Sequence, residues 1–501
     1  MLVFGNNALF AGLDMMKGSD IYIYIMKRLI FKGFARHFFL SLLILAMGIS
    51  SVAGQEGTPD KKPNIVFIMA DDLGLTDINS FDPLKRTFYE TPNIDRLAAE
   101  GMKFLNAYTN AANCSPTRAA LVSGQYYPRQ PIYHVGDSGP GAMIPAENAH
   151  ALPTEKITEA EMLGQAGYST ALIGKWHLGD PPAHGPGQQG YDYNIGGYGA
   201  GNPGSWEGGY FNPGNNPHIA DARQGEYLTD YLTRKAIAYI DDHRGGPFYL
   251  NLSFYTPHSP FQAPEELVEK YDRKKGDRGH SHSAYAAMIE RLDRNVGKIL
   301  DALEERELAR NTVVIFYSDN GGRGGYGFLG HGEANITDNA PLKGGKGTFY
   351  EGGIRVPLII RWPGVVAPGS TSREPVISID FYPTYLELAG MDNPRHYPLD
   401  GLSLVPLLED PKASLKRDNL YWHFPGYPNN AWRTTPVSVI RSGSWKLLKF
   451  YETNDFQLYN LQEDAGEEQN LAGSRPKQRD KLKRKLEEWL ERTGAPLPQW
   501  P

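Results

Sequence analysis

The chain holds one cysteine in 501 residues, so no intramolecular disulfide is available to it. Its stability must come from a buried core, and this length can build a sizeable one. Apolar runs of membrane-spanning length are scarce as well. The run from Phe38 to Met47 falls short of the roughly 20 residues that cross a bilayer, so no membrane span is expected. Charge of one sign is not in large excess. A net charge of -6 gives no case for nucleic acid as a partner, which would need a clustered basic face. It leaves room for a local basic pocket that receives an anionic group.

What is present begins with an export pattern. Lys27 and Arg28 precede the apolar run, and the small residues Ser51, Val52, Ala53 and Gly54 follow it. Residues 1–54 therefore read as a leader and signal peptide, with the true start at Met26. The expected location is periplasmic or extracellular in a bacterium. No Cys stands at the cleavage zone, so no lipid anchor is expected. An unpaired thiol in an exported chain points to a functional cysteine.

Four apolar runs read as buried strands, and each ends in polar residues. Asn64–Ala70 ends in Asp71-Asp72, and Tyr168–Ile173 ends in Gly174-Lys175-Trp176-His177. Phe248–Phe254 ends in Tyr255-Thr256-Pro257-His258, and Thr312–Tyr317 ends in Ser318-Asp319-Asn320-Gly321-Gly322. Continuous apolar runs suit parallel strands covered on both faces. Helical patterns at 92–100, 157–166, 227–242 and 284–307 alternate with them. The expected fold is α/β: a large, mostly parallel sheet between helices. Ligands in such sheets sit beyond the carboxyl ends of the strands, where these polar residues converge. Residues 62–410 are expected to form the catalytic domain. Residues 411–501 are expected to form a smaller α+β domain, with antiparallel strands near 436–441, 445–451 and 457–461 and a charged helix over 477–492. A Gly-, Asn- and Pro-rich loop over 194–217, carrying Trp206, Tyr210 and Phe211, is a candidate substrate-facing loop.

The segment Cys114-Ser115-Pro116-Thr117-Arg118 opens a predicted helix that stops at Gly124. Ser115 is expected to cap it and Pro116 to take its first position. Cys114 would then sit where the helix dipole favours negative charge, with Arg118 one turn along.

Cys-x-Pro-x-Arg at this place resembles the signature of the formylglycine-dependent sulfatases, a family with the alkaline-phosphatase-like fold. The Asp71-Asp72 pair, Gly174–Gly179, Thr256-Pro257-His258, Asp319–Gly322 and Gly345–Pro357 resemble that family in the same order, and the likeness spans about 62 to 471. The resemblance implies that a maturation enzyme oxidises Cys114 to formylglycine, whose hydrate is the nucleophile. It implies a metal site of Asp71, Asp72, Asp319 and Asn320 with residue 114. Ligands that offer only oxygen suit Ca²⁺, with Mg²⁺ as the alternative. Arg118, Lys175 and Lys346 match sulfate-neutralising positions. His177 matches the base that acts on residue 114. His258 matches the acid for the leaving oxygen, with Lys346 as its rival. Lys343, His331, His423 and Trp206 are candidates for contact with the organic part of the substrate. His134, His150, His184, His218 and His243 read as structural. The expected activity is hydrolysis of sulfate esters on carbohydrates. Phosphate-monoester or phosphonate hydrolysis, a non-catalytic sulfated-glycan binder and a thiol hydrolase are the alternatives.

Overall fold

A computed structural model describes residues 62–430 and 433–501; the leader expected over 1–54 lies outside them. Fourteen strands are seen among the described residues. In chain order they are β1 Asn64–Ala70, β2 Met102–Phe104, β3 Ala107–Tyr108, β4 Ser169–Gly174, β5 Tyr193–Ile195, β6 Phe248–Ser253 and β7 Thr312–Ser318. There follow β8 Leu358–Arg361, β9 Ser370–Ser372, β10 Val376–Ile377, β11 Asn419–Phe424, β12 Val437–Ser442, β13 Trp445–Phe450 and β14 Phe456–Asn460. The helices that position the site or cover the sheet are α1 Pro92–Glu100, α2 Cys114–Ser123, α3 Glu159–Gln165, α4 Leu228–Asp242, α5 Ser283–Glu305, α6 Glu351–Ile354 and α7 Pro476–Thr493.

Eight strands make one sheet in the order β5-β4-β6-β1-β7-β8-β2-β9. The run from β5 to β7 is parallel, as the apolar runs predict. Beyond it β8 runs antiparallel to β7, and β2 and β9 run antiparallel to β8, back in the direction of β7. The four predicted strands are β4, β6, β1 and β7, side by side. Their polar C-terminal tails therefore meet at one edge.

β1 shows why its sequence is apolar from Ile65 to Ala70. Val66 and Ile68 pack into a core that includes Leu228 and Leu232 of α4 and Leu292 and Val296 of α5. Ile65, Phe67 and Met69 pack into another, with Leu121 of α2, Leu163 of α3 and Phe381. Side chains alternate across a strand, so a sheet covered on both faces makes every position apolar.

The C-terminal segment forms a four-stranded antiparallel sheet, β11-β12-β13-β14. Three of these strands are predicted. β11 is not, because its polar Asn419 and His423 interrupt the apolar pattern. This sheet shares a core with the larger part, including Tyr108, Ala120, Trp422 and Leu447. Trp422 Nε1 donates to Thr109 O at 2.7 Å across that contact. The described residues form one compact unit. Among them no helix is long and apolar enough to cross a membrane.

Candidate active site

Four strand ends and one helix deliver the site. Cys114 is the first residue of α2, with Asn113 before it in extended conformation and Gly124 closing the helix at φ 65°. The expected cap is not formed: Ser115 lies inside the first turn, and its Oγ donates to His177 O at 3.0 Å. That bond ties the Cys114 helix to the loop after β4.

Asp71 and Asp72 leave the end of β1. Asp72 has φ 67° and His177 has φ 61°, both left-handed values for residues with a Cβ. Such backbone is costly and collects at functional sites. Each is held by its surroundings. Asp72 N donates to Asp319 Oδ1 (3.2 Å), and His177 N donates to Tyr198 O (2.9 Å). Gly201 packs close against the His177 ring; a Cβ there would lie 2.6 Å from ring atoms.

The charged groups interlock. Lys175 Nζ donates to Asp71 Oδ2 at 2.7 Å, and Arg118 Nη2 donates to Asp319 Oδ2 at 2.8 Å, all four residues buried. Arg118 Nη1 also donates to Lys175 O at 3.0 Å. Lys346 Nζ lies 2.7 Å from the Asp72 carboxylate and 3.4 Å from Cys114 Sγ. His258 Nε2 stands 3.6 Å from Asp72 Oδ2, and Asn320 Nδ2 donates to Asp72 Oδ1 at 2.9 Å. Asp71, Asp72, Cys114 and His258 offer ligand atoms that lie within 4.8 Å of one another.

Burial and these neighbours set the protonation of the site. Burial alone would raise the Cys114 thiol, but Lys175 and Lys346 prevail and hold it down at about 7. Burial raises the Asp71 carboxyl against the pull of Lys175, and burial and Asp71 together raise Asp319 to about 6. Asp72 escapes that trend: Lys346 and His258 overcome burial and hold it low. The two imidazoles part company. Burial, Lys175 and Arg118 push His177 well down. Burial and Lys346 push His258 down, but Asp72 and Asp71 prevail and raise it.

The donor set fits a hard cation. Asp71 Oδ1 and Asn320 Oδ1 are buried and have no hydrogen-bond partner among the described residues. Buried acceptors without partners are rare in native proteins. Two such oxygens beside two further carboxylates are what an oxygen-liganded divalent ion satisfies. Asp71, Asp72, Asp319 and Asn320 are the residues that would hold it.

A cavity of about 290 Å³ opens onto these groups, lined by Cys114, His177, His258 and Lys346. Asn113, His134, Val135, Gly201 and Asn202 form further wall, and Pro428, Asn429, Asn430 and Arg433 from the β11–β12 connection complete it. The smaller C-terminal part thus contributes to the site.

The ten residues expected to carry catalysis and metal binding come together here. The four expected to touch the organic part of the substrate do not line the cavity. Trp206 belongs to the core: its indole donates to Gly209 O at 3.0 Å and its ring packs edge-on against Tyr255. His423 is buried on β11 between Ser438 Oγ and Pro496 O, each 2.7 Å away. Lys343 turns away from Lys346, donates to Glu467 O at 3.1 Å and lies over the Tyr350 ring. His331 sits in a surface turn near Glu333 Oε1. The motif places Lys343 and His331 near Lys346 in sequence, but the loop reverses between them. His134, read from sequence as structural, lines the cavity instead; its ring is buried and neither nitrogen has a hydrogen-bond partner among the described residues. Its flanking sequence, Ile132-Tyr133-His134-Val135, gives no local signal, because its meaning comes from a wall built by remote segments.

Comparison with known proteins agrees with this geometry. The family model described as Sulfatase matches residues 63–391, and one described as N-sulphoglucosamine sulphohydrolase, C-terminal, matches 345–495. A sulfatase of Formosa agariphila is 35% identical, covering 94% of this chain and 96% of its own. Mouse N-acetylgalactosamine-6-sulfatase is 30% identical over 87% of this chain and 80% of its own. The solved structure of Ps i-CgsB in complex with k-i-k-neocarrahexaose is 31% identical, with a TM-score of 0.70 over 86% of this chain and 93% of that one. The chain belongs to the sulfatase family and is a sulfuric ester hydrolase.

Proposed function

We propose that this enzyme removes sulfate from carbohydrates, with formylglycine made from Cys114 as its nucleophile. The observation that carries this reading is the setting of Cys114: a lone thiol at a helix start, 3.4 Å from Lys346 Nζ, beside a set of oxygen ligands. A maturation enzyme would supply the aldehyde, and its hydrate would offer a hydroxyl to sulfur. A bound divalent ion, Ca²⁺ or alternatively Mg²⁺, would lower that hydroxyl's pKa and neutralise sulfate charge. Its ligands would be Asp71, Asp72, Asp319 and Asn320, with residue 114.

The chain's own residues do the rest. Arg118, Lys175 and Lys346 surround residue 114 with positive charge, where negative charge grows as the ester bond breaks. His258, facing the cavity from the end of β6, is placed to give a proton to the departing alcohol oxygen; Lys346 is its rival. His177 faces the same cavity from the end of β4 and is placed to take a proton from residue 114. The carbohydrate assignment draws support from the relatives named for sulfated sugars. Export to the periplasm or beyond would bring the enzyme to such substrates.

The test is release of sulfate and of phosphate, measured on one purified sample. Defined sulfated mono- and oligosaccharides, an aryl sulfate and matching phosphate esters would be the substrates. Sulfate release from sugars is the expected result. Phosphate release at equal or higher kcat/KM would overturn it.

A further inference from the structure

The mild total charge conceals a concentrated basic segment. Between Arg475 and Lys485 there are seven Lys and Arg against one Asp, a net +6 in a chain that totals -6. The segment makes the first half of α7, and three observations set it apart from an ordinary solvated helix face.

First, its direction is fixed. Leu482, Leu486, Trp489 and Leu490 are buried, and Trp489 stacks on Tyr421 with centroids 4.6 Å apart. Lys477, Lys481 and Arg484 fall at four- and three-residue spacing on the opposite side and are exposed. None of the three forms an ion pair with another described residue, whereas Arg479 and Lys483 pair with Asp480 and Glu487.

Second, the charges run against the helix. Cations destabilise a helix start and carboxylates stabilise it. Here the first turn has no acidic residue and no side-chain cap, and Glu487, Glu488 and Glu491 lie in the second half. Helix stability does not account for this order, and breaks of a local rule tend to fall at functional sites.

Third, further basic residues lie beside the helix. Lys485 lines a cavity of about 520 Å³ with Arg441 and with Arg417, which is paired to Asp380; Glu374 and Asp418 line it too. Arg441 is buried. None of these residues lines the cavity at Cys114.

We infer that this face of α7 is a docking surface for a sulfated polysaccharide chain, separate from the catalytic cavity. The inference rests on the sulfated-carbohydrate reading above, in which the substrate chain is itself a polyanion. The helix exposes no aromatic ring for base stacking and no aliphatic side chain for insertion into a bilayer, which disfavours nucleic acid and membrane. Docking at a second point raises the effective concentration of the polymer's sulfates at the active site. Short substrates gain nothing from it.

The test compares wild type with the triple variant Lys477→Ser, Lys481→Ser, Arg484→Ser, at three exposed positions outside the cavity. Retention on dextran sulfate beads is measured by salt elution from about 0.15 M upward. In parallel, kcat/KM is measured on a sulfated polysaccharide and on a short sulfated sugar. Wild type should be retained and the variant should elute at clearly lower salt. The variant's KM should rise about tenfold on polymer, with turnover of the short sugar within about twofold. Equal elution of the two proteins, or equal losses on polymer and short sugar, would overturn the docking surface. Tighter retention on DNA beads than on dextran sulfate would overturn the glycan assignment. Failure of the catalytic reading shows separately, as absent sulfate release by wild type from the short sugar.

Discussion

Lys446 and Glu351, 95 residues apart, meet in a fully buried ion pair at 3.0 Å. Lys446 belongs to β13, and Glu351 begins the short helix that follows the Lys346 loop. Lys446 Nζ also lies 2.8 Å from Glu467 Oε1, and Glu467 Oε2 accepts from Glu351 N at 2.6 Å. Tyr108 OH donates to the free side of Glu351 at 2.7 Å. The same loop reaches the candidate active site through Gly347 N, which donates to Ala112 O two residues before Cys114, and through Gly353 O, which accepts from Gly321 N beside Asn320. A Cβ on Gly321 would lie 1.9 Å from Gly352 O, so the two segments of this contact touch backbone to backbone. The C-terminal sheet thus clamps the loop that presents Lys346.

Lys446→Met should therefore cost about 3–5 kcal/mol of stability, because it strands two buried carboxyl groups. The triple change Lys446→Met, Glu351→Gln, Glu467→Gln removes the charges together and should recover most of that loss. Denaturant unfolding of the three proteins checks both statements.

Cys114→Ala should lower sulfate release by at least about 10³-fold, the scale on which loss of a nucleophile acts. Its melting temperature should stay close to that of wild type, since the change removes one small buried atom. Mass spectrometry of active wild type should find the residue 114 peptide as the aldehyde. An intact thiol in fully active protein would rule out formylglycine.

Chelation should abolish activity and lower the melting temperature, because carboxylates at Asp71, Asp72 and Asp319 would be left to repel one another. Restoring activity with Ca²⁺ and with Mg²⁺ in turn identifies the ion. Activity that survives exhaustive chelation contradicts the cation site.

Stability should fall as pH rises from about 4.5 to about 8 through Glu159. Burial raises its carboxyl from the ordinary 4.5 to about 8, while Tyr191 OH and Tyr249 OH donate to its Oε1. Folding therefore favours the neutral form. That contribution is complete below about pH 4.5 and is lost as pH rises to about 8, by about 1.4 kcal/mol for each pH unit crossed. Glu159→Gln keeps the acceptor and cannot ionise. Its melting temperature relative to wild type should rise between pH 5 and pH 9, and a flat difference would show that Glu159 does not titrate in this range.

The sequence was legible where one rule acts alone. β1, β4, β6 and β7 are apolar along most of their length because both faces are covered, and their polar tails fall where parallel strands end. β8 defeats that reading. Leu358–Arg361 is as apolar as its neighbours, but it runs antiparallel to β7, and direction leaves no trace in hydropathy. The helix start shows the same limit: Ser115 has the right chemistry for a cap, but the helix begins one residue earlier, at Cys114, with Asn113 in the cap position.

By itself the sequence determined which groups meet at the cavity. Asp71, Asp72, Cys114, Arg118, Lys175, His177, His258, Asp319, Asn320 and Lys346 are fixed by strand ends and short motifs, where local order dictates position. The tertiary structure decided what surrounds them. It buried Trp206 and His423 in cores, turned Lys343 away, brought His134 and Arg433 to the cavity, and placed the basic stripe of α7 outward. Those outcomes depend on contacts between segments hundreds of residues apart, and packing of that kind has no period or motif in the chain.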